Sequence, residues 1–372
     1  MHDTMRREAV ETVIIGGGQA GLALAYELRQ RGRRSVILNA SNRVGDSWRE
    51  RWDSLRLFTP AKLSHLPGMK QPRSAWSFAT KDEFADYLEA YAREFDLDVR
   101  NGARAERIAR HGDQYLVDAG DERLVADHVV LATGAYQEPK VPVFAPELKP
   151  TIRQLHSSAY RNPGQLEPGE VLVVGGGNSG AEIALDLAKD HPVRLSGVAP
   201  VFPVRPGSLP SKVVMPLFLF AATRLLTTRT PMGRRMRPQA RNHAAPILRA
   251  KPRDLARAGV QRIPRIAGVD GGLPITEDGE RLDVRNVVWC TGFQSDFSWI
   301  DLPAFQSSEE PAHERGVILD EPGMYFIGQR FQYALASSFI GGVGRDAAYV
   351  AGVIDRRIAE ASARPVASAV QQ

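Results

Sequence analysis

Cysteine is almost missing from this chain of 372 residues: Cys290 stands alone. An intrachain disulfide is excluded, and with it the Cys-x-x-Cys pair on which thioredoxin-reductase and glutathione-reductase chemistry depends. A lone thiol fits a reducing compartment, so a cytoplasmic location is expected. The eight histidines are scattered, without the Cys/His spacing of a zinc site, and no metal is expected. No Gly-x-Ser-x-Gly elbow presents a nucleophile. Long apolar runs are lacking as well. The longest, 213–226, contains Pro216 and Arg224 and is too short for a bilayer, so no transmembrane segment is expected. Residues 1–8 place no apolar stretch behind their charges, and no signal peptide is expected. A chain this poor in side-chain catalysts draws its chemistry from bound cofactors.

Acidic residues are locally scarce. Net charge is +5, yet 224–270 holds 12 Lys/Arg against 2 Asp/Glu, so the remainder of the chain is net acidic by about 5. No nucleic-acid motif accompanies this segment and no aromatic residues interleave with its arginines, so nucleic acid is not an expected partner. A solvated basic face and attraction of an anionic cofactor or partner surface both stay open.

What the chain does contain is a duplication. Residues 12–21 read Thr-Val-Ile-Ile-Gly-Gly-Gly-Gln-Ala-Gly, and 171–180 read Val-Leu-Val-Val-Gly-Gly-Gly-Asn-Ser-Gly. Each is an aliphatic run ending in Gly-x-Gly-x-x-Gly and entering an apolar helical pattern, with Gly16 and Gly175 159 residues apart. Residues 129–134 and 287–293 also match, as buried-strand patterns carrying Thr-Gly, with Gly134 and Gly292 158 apart. The expected fold class is α/β: two nested Rossmann-like dinucleotide-binding domains of the three-layer ββα type. The first domain is expected to span 1–150 plus 295–372, since 323–328 reads as a strand and 341–358 as a helix returning to it. The second is expected at 151–294, with an insertion at about 200–270. In the first, strands are expected at 12–15 and 35–38, helices at 20–31 and 81–95, and a hairpin of 115–117 with 124–125 before a strand at Val129. In the second, strands are expected at 171–174 and 193–195, with a helix at 179–189 between them.

In such a loop Gly16 permits the tight turn, Gly18 lets the backbone approach a diphosphate, and Gly21 lets helix pack on strand; Gly175, Gly177 and Gly180 can do the same. The helix N-termini that follow, at Gln19 and Ala20 and at Asn178 and Ser179, supply amide donors and partial positive charge. Two dinucleotides held face to face point to electron transfer between a flavin and a nicotinamide. Asn39, followed by Ala40, ends the second strand and can hydrogen-bond a ribose without charge. In the second unit no carboxylate stands there to repel a 2′-phosphate, and Ser196, with Arg194 and Arg205 near, suits one. NADPH is expected over NADH.

Further segments carry a family likeness: Arg-Val-Gly-Asp-Ser-Trp at 43–48, the run 51–60, Ala-Thr-Gly at 132–134, His-Ser-Ser-Ala-Tyr at 156–160, Thr-Gly-Phe at 291–293, and Phe-Gln-Tyr-Ala-Leu at 331–335 through Gly-Gly-Val-Gly-Arg-Asp at 341–346. With the two glycine loops, nearly the whole chain resembles the class B flavin-dependent monooxygenases (flavin-containing, YUCCA-type and Baeyer–Villiger enzymes), and most of all their bacterial CzcO-like branch. The resemblance implies FAD at the Gly16 loop, contacted also by Gly45, Ser47, Trp48 and Ala105. Thr133 and Gly134 would lie at the hinge. Gly328, Ser338 and Gly342 would complete the flavin site, the helix near Gly342 turning its positive end to the flavin N1/O2 edge. Phe58 and Thr59 would stand beside the flavin ring, where some members place an asparagine. NADP would be held by the Gly175 loop with His156, Tyr160, Ser196, Arg205, Thr291 and Gly292, while Val198 stands where a phosphate-clamping arginine is common.

The implied activity is an NADPH-dependent, FAD-containing monooxygenase using O2. One oxygen atom would pass, through a C4a-hydroperoxyflavin, to a small-molecule substrate with nitrogen, sulfur or another soft heteroatom, or to a ketone. Two alternatives stand beside it: an NAD(P)H oxidase or dehydrogenase passing electrons to O2 or a quinone, and a nucleotide-sensing regulatory flavoprotein. His156 either ties a linker to the domain surface or serves NADP and proton delivery. The apolar run 213–226 either lids an active site, packs between domains, or makes weak membrane-surface contact. A dimer is compatible with the sequence.

Overall fold

The computed structural model describes residues 6–243, 245–307 and 310–363. Continuous β-branched runs, lacking polar alternation, form strands buried on both faces, as parallel sheets require. In Arg6–Ile15 the segment from Thr12 to Ile15 is buried, and it pairs in parallel with Val36–Asn39 on one side and Glu122–Leu131 on the other. Asp98–Asn101 and Met324–Phe326 extend that parallel arrangement outward. Gln19–Arg29, Lys81–Glu94 and Ile340–Ala363 supply the apolar cover on one face, through Leu24, Leu28, Phe84, Tyr91, Val350 and Ile354.

The first strand begins at Arg6, not at residue 12, and the expected hairpin and the strand at Val129 are one feature. Glu122–Leu131 is a single ten-residue strand that changes partners along its length. Its first half pairs antiparallel with Gln114–Ala119 and parallel with residues 6–10; from Val129 it pairs with Met324–Phe326. Asp127 and His128 look like a break in sequence, but His128 is buried against Tyr325.

The second sheet is parallel throughout, in the order Gln261–Ile263, Val193–Ser196, Val171–Val174, Asn286–Trp289, Arg153–His156. Asn178–Leu187 is its first crossover helix. Ala145 and Leu148 already pack with Leu172 and Trp289, so the segment just before residue 150 lies in the second sheet's core. A two-stranded antiparallel ribbon, Glu138–Pro139 with Phe293–Gln294, marks both crossings of the chain. The long insertion of the second unit folds as Ser211–Arg224, Pro231–Asn242 and Pro252–Arg257 and reaches back to the first unit: Thr228 N–H donates to Tyr333 O and Leu335 N–H to Leu226 O. Among the described residues no helix is long and apolar enough to cross a membrane, and no group of His, Cys, Asp and Glu could hold a metal ion.

The two glycine turns are copies in three dimensions. Gly16 and Gly175 adopt φ of +117° and +116°, and their N–H groups donate to Leu38 O and Ser196 O at 2.8 and 2.9 Å. A β-carbon on Gly16 would sit 2.6 Å from Ala132 O, and one on Gly175 closer still to Cys290 O. On Gly21 or Gly180 it would overlap the carbonyl oxygen of Gly16 or Gly175. At Gly18 it would meet nothing within 4 Å. Gly180→Ala is therefore expected to cost about 3 kcal/mol, the upper end for forced overpacking, whereas Gly18→Ala leaves stability unchanged; urea midpoints of the two variants check this.

Candidate dinucleotide sites

Both turns open at the carboxyl ends of their strands, where ligands settle in open parallel sheets. Gly18 and Gly177 cap the following helices in nearly one conformation (φ −80°, ψ −176° and φ −73°, ψ −170°), and neither helix has a side-chain cap at its N-terminus. The first amides of each helix are thus left to an external acceptor, and an anion is the natural one. At the first turn the space beyond Gly18 is the cradle that a side chain would fill.

Around the first turn the structure gathers several of the expected residues. Trp48 Nε1 donates to Gln19 Oε1 at 3.4 Å, and its ring meets Phe84 edge-on. Gly328 approaches Ala20 so closely that a β-carbon would lie 2.7 Å from that of Ala20. Asn39 is buried with Nδ2 donating to Asn101 Oδ1 (2.7 Å) and Ser41 O (3.2 Å), leaving Oδ1 as the free acceptor beside Gly17. Ala40 is exposed directly after it, and Ala105 is half-buried against the second face of the sheet. Gly45 serves packing: it is buried against the Ala85 backbone of the helix Lys81–Glu94, and Ser47 is exposed. Phe58 is half-buried, and Thr59 Oγ1 is bonded to the buried Ser64 hydroxyl. That loop meets the N-terminus of Ile340–Ala363, where Leu63 O crowds Gly341. The helix starts at Ile340, two residues before Gly342, which packs on Ala336 O; Ser338 ends the preceding turn.

Sequence reasoning missed Gln329. It is buried directly after Gly328, its N–H meets Gln332 Oε1 at 3.3 Å, and its Nε2 has no partner among the described residues. An orphaned buried donor at a strand end is open to an acceptor from outside the chain, a water or a ligand. The only sequence signal was its place after the glycine that closes the Met324–Phe326 strand.

At the second turn, four of the expected residues have side chains engaged within the chain. Tyr160 is fully buried and donates to Asp186 Oδ2 at 3.0 Å, so it holds the underside of the helix Asn178–Leu187. The Ser196 hydroxyl donates to Pro264 O (2.9 Å) and accepts from Ile266 N–H (3.2 Å), which fills it. Arg205 is ion-paired with Asp254. The side chain of Asn178 clasps the insertion, donating to Pro246 O and accepting from Leu248 N–H at 2.9 and 3.0 Å; Ser179 is half-buried beside it. A basic group beside the end of Val193–Ser196 is Arg262. It is exposed, it is in register with Leu195, and its Nη2 lies 3.5 Å from Gly197 O.

Between the turns lies the joint. Gln137 Nε2 donates to Thr133 Oγ1 (2.7 Å) and Gly134 O (3.0 Å), while its Oε1 accepts from Asp296 N–H. Thr291 Oγ1 donates to Lys140 O, and Lys140 N–H donates back to Gly292 O. His156 is buried there, with Nε2 at 3.0 Å from Gly292 O, Nδ1 near Ser158, and its ring edge on Phe293. A carbonyl only accepts, so Nε2 carries the proton and Nδ1 accepts from Ser158. Both nitrogens are thus used within the chain. Burial holds His156 below its ordinary pKa; the Gly292 bond opposes this, and the Arg51 charge adds to it.

A profile described as "Pyridine nucleotide-disulphide oxidoreductase" matches residues 13–199. An uncharacterized oxidoreductase, CzcO-like, of Geobacillus kaustophilus (strain HTA426) is 38% identical over 343 residues, covering 92% of this chain and 97% of that protein. Indole-3-pyruvate monooxygenase YUCCA1 of Oryza sativa subsp. japonica is 38% identical over 181 residues, 48% of this chain and 45% of that protein. The solved flavin-containing monooxygenase from Stenotrophomonas maltophilia superposes with a TM-score of 0.76 at 27% identity, covering 94% of this chain and 99% of that one.

The state of His156 sets a pH dependence. Its unfolded-state pKa is about 6.5 and its folded one is lower, so the unfolded chain binds the extra proton and stability falls as pH drops through that value. Glu182, pushed up to about 7 by burial, contributes the opposite slope in that window, so His156→Gln is expected to make the thermal midpoint fall less, or rise more, than in the parent between neutral and mildly acid pH. His128, pushed down to about 4 by burial, retains a residual slope in the variant.

Proposed function

Since the chain belongs to the pyridine nucleotide-disulphide oxidoreductase family, and within it to the class B flavin monooxygenases, we propose that it catalyses NADPH-dependent oxygenation of a small molecule. The observation that carries this reading is the pair of matching, uncapped glycine turns at the ends of parallel strands in two sheets, with a short ribbon where the chain crosses between them. FAD and NADPH, when bound, supply hydride transfer and the activation of O2; the chain supplies places, charges and shelter. The turn 16–21 and the N-terminus of Gln19–Arg29 fit the diphosphate of FAD, and Gln329 offers its orphaned Nε2 to the same molecule. The turn 175–180 fits the diphosphate of NADPH, and Arg262 takes the 2′-phosphate in place of Ser196 and Arg205. The N-terminal end of Ile340–Ala363 carries a partial positive charge that stabilises negative charge arising beside the Ala61–Leu63 turn. With Cys290 as the only cysteine, no dithiol in this chain relays electrons, and disulfide reduction through such a pair falls away. The substrate class is a nitrogen, sulfur or other soft heteroatom, or a ketone.

Two outcomes test this. In the presence of a thioether, a tertiary amine or a cyclic ketone, hydrogen peroxide formed is expected to fall well below NADPH consumed, with an oxygenated product making up the difference. Peroxide equal to NADPH with every substrate would instead establish the oxidase alternative. Arg262→Ala removes a charge-assisted contact worth about 1.5 kcal/mol or more, so KM for NADPH is expected to rise about tenfold or more while KM for NADH holds; equal changes in both would show that Arg262 does not read the phosphate.

A further inference from the structure

The helix Ser211–Arg224 is apolar on two sides. On one, Met215 and Ala222 are buried, Phe218 meets the Phe202 ring edge-on at 5.2 Å, and Leu219 lies against Gly341. On the other, Val213, Leu217 and Phe220, at helical spacing, are 63%, 62% and 59% exposed. Leu209 ahead of the helix and Leu225 behind it are exposed as well. A helix that is hydrophobic all round is ordinarily buried all round, yet here one side faces water.

The chain on either side of it carries charges of one sign. No Asp or Glu occurs between Asp190 and Asp254, a stretch with 12 Lys/Arg. Arg205, Arg241 and Arg249 find carboxylates elsewhere. Lys212, Arg224, Arg229, Arg234 and Arg235 are exposed and have no ion-pair partner among the described residues.

We propose that this face docks on an anionic lipid surface. Val213, Leu217 and Phe220 enter the boundary between headgroups and acyl chains, and the unpaired cations meet lipid phosphates. Charge complementarity selects this occupant. A two-fold contact with a second copy would set the same unpaired arginines against each other, and a nucleic acid offers phosphates but no apolar medium for the aliphatic side chains. The inference rests on the exposed helix face and its charges, independently of the oxygenation reading.

Sedimentation of the full flavin-loaded chain with vesicles tests it. Binding is expected on vesicles of equal parts phosphatidylcholine and phosphatidylglycerol, about tenfold or more weaker on phosphatidylcholine alone, and weakened by high salt. The double variant Leu217→Asp, Phe220→Asp is expected to lose vesicle binding, with thermal midpoint and NADPH-dependent flavin reduction retained. Arg234→Gln with Arg235→Gln, both at exposed positions, is expected to lose much of the preference for anionic lipid. Absence of binding to anionic vesicles, equal binding to neutral ones, or undiminished binding by the Asp variant would overturn the proposal. So would a dimer, seen by light scattering, that the Asp substitutions dissociate.

Discussion

Four missing β-carbons govern this fold. Gly16 and Gly175 bring the first strand of each unit against the end of its neighbour, and Gly21 and Gly180 let the helix close over the same turn. Each contact is backbone on backbone, so no rotamer change relieves an added atom. From this closure follow the position of each helix N-terminus, the direction of its free amides, and the crevice at the strand ends. Both units meet the same constraint with nearly identical φ values, which identifies the turn, more than any side chain, as the duplicated object.

Much of the fold was legible because parallel strands advertise themselves. The uninterrupted aliphatic runs at 12–15, 129–131, 171–174 and 287–289 could be read directly, and the two offsets revealed the repeat. Residues 6–10 and Asp127-His128 were not legible, since their polar residues look like a loop until a partner strand is known. The glycine portions of the candidate sites were legible for the same reason that the turns are: at Gly16, Gly21, Gly175 and Gly180 no other residue fits. Side chains around them were less so. Ser196 and Arg205 are near the right strand in sequence, but the hydroxyl faces Pro264 and the guanidinium faces Asp254. Arg262 lies 66 residues beyond Ser196 and arrives only through the pairing of two strands. Tyr160 failed for another reason: a motif fixes spacing, and burial decides whether a residue at that spacing faces a cavity or a core.

The insertion of the second unit takes on a task neither sheet performs. It is fastened to the second turn through Asn178 and to the tail of the first unit through Tyr333 and Leu335, with Arg345 reaching the carbonyl of Thr223. One segment therefore ties the second glycine turn to the tail of the first unit from outside, opposite in kind to the narrow ribbon at the chain crossings.

That ribbon has a mechanical consequence. Phe293–Gln294 follows Gly292 directly and Glu138–Pro139 starts four residues after Gly134, so the axle between the sheets runs beside both Thr-Gly turns. Any rotation about an axle moves atoms in proportion to their distance from it. Edge strands such as Asp98–Asn101 and Gln261–Ile263 would sweep wider arcs than points beside the ribbon, which would keep their separation and change only their mutual angle. Were the two units to turn about that linkage, molecules held at the two glycine turns would be re-aimed at each other with the grip of each turn unchanged.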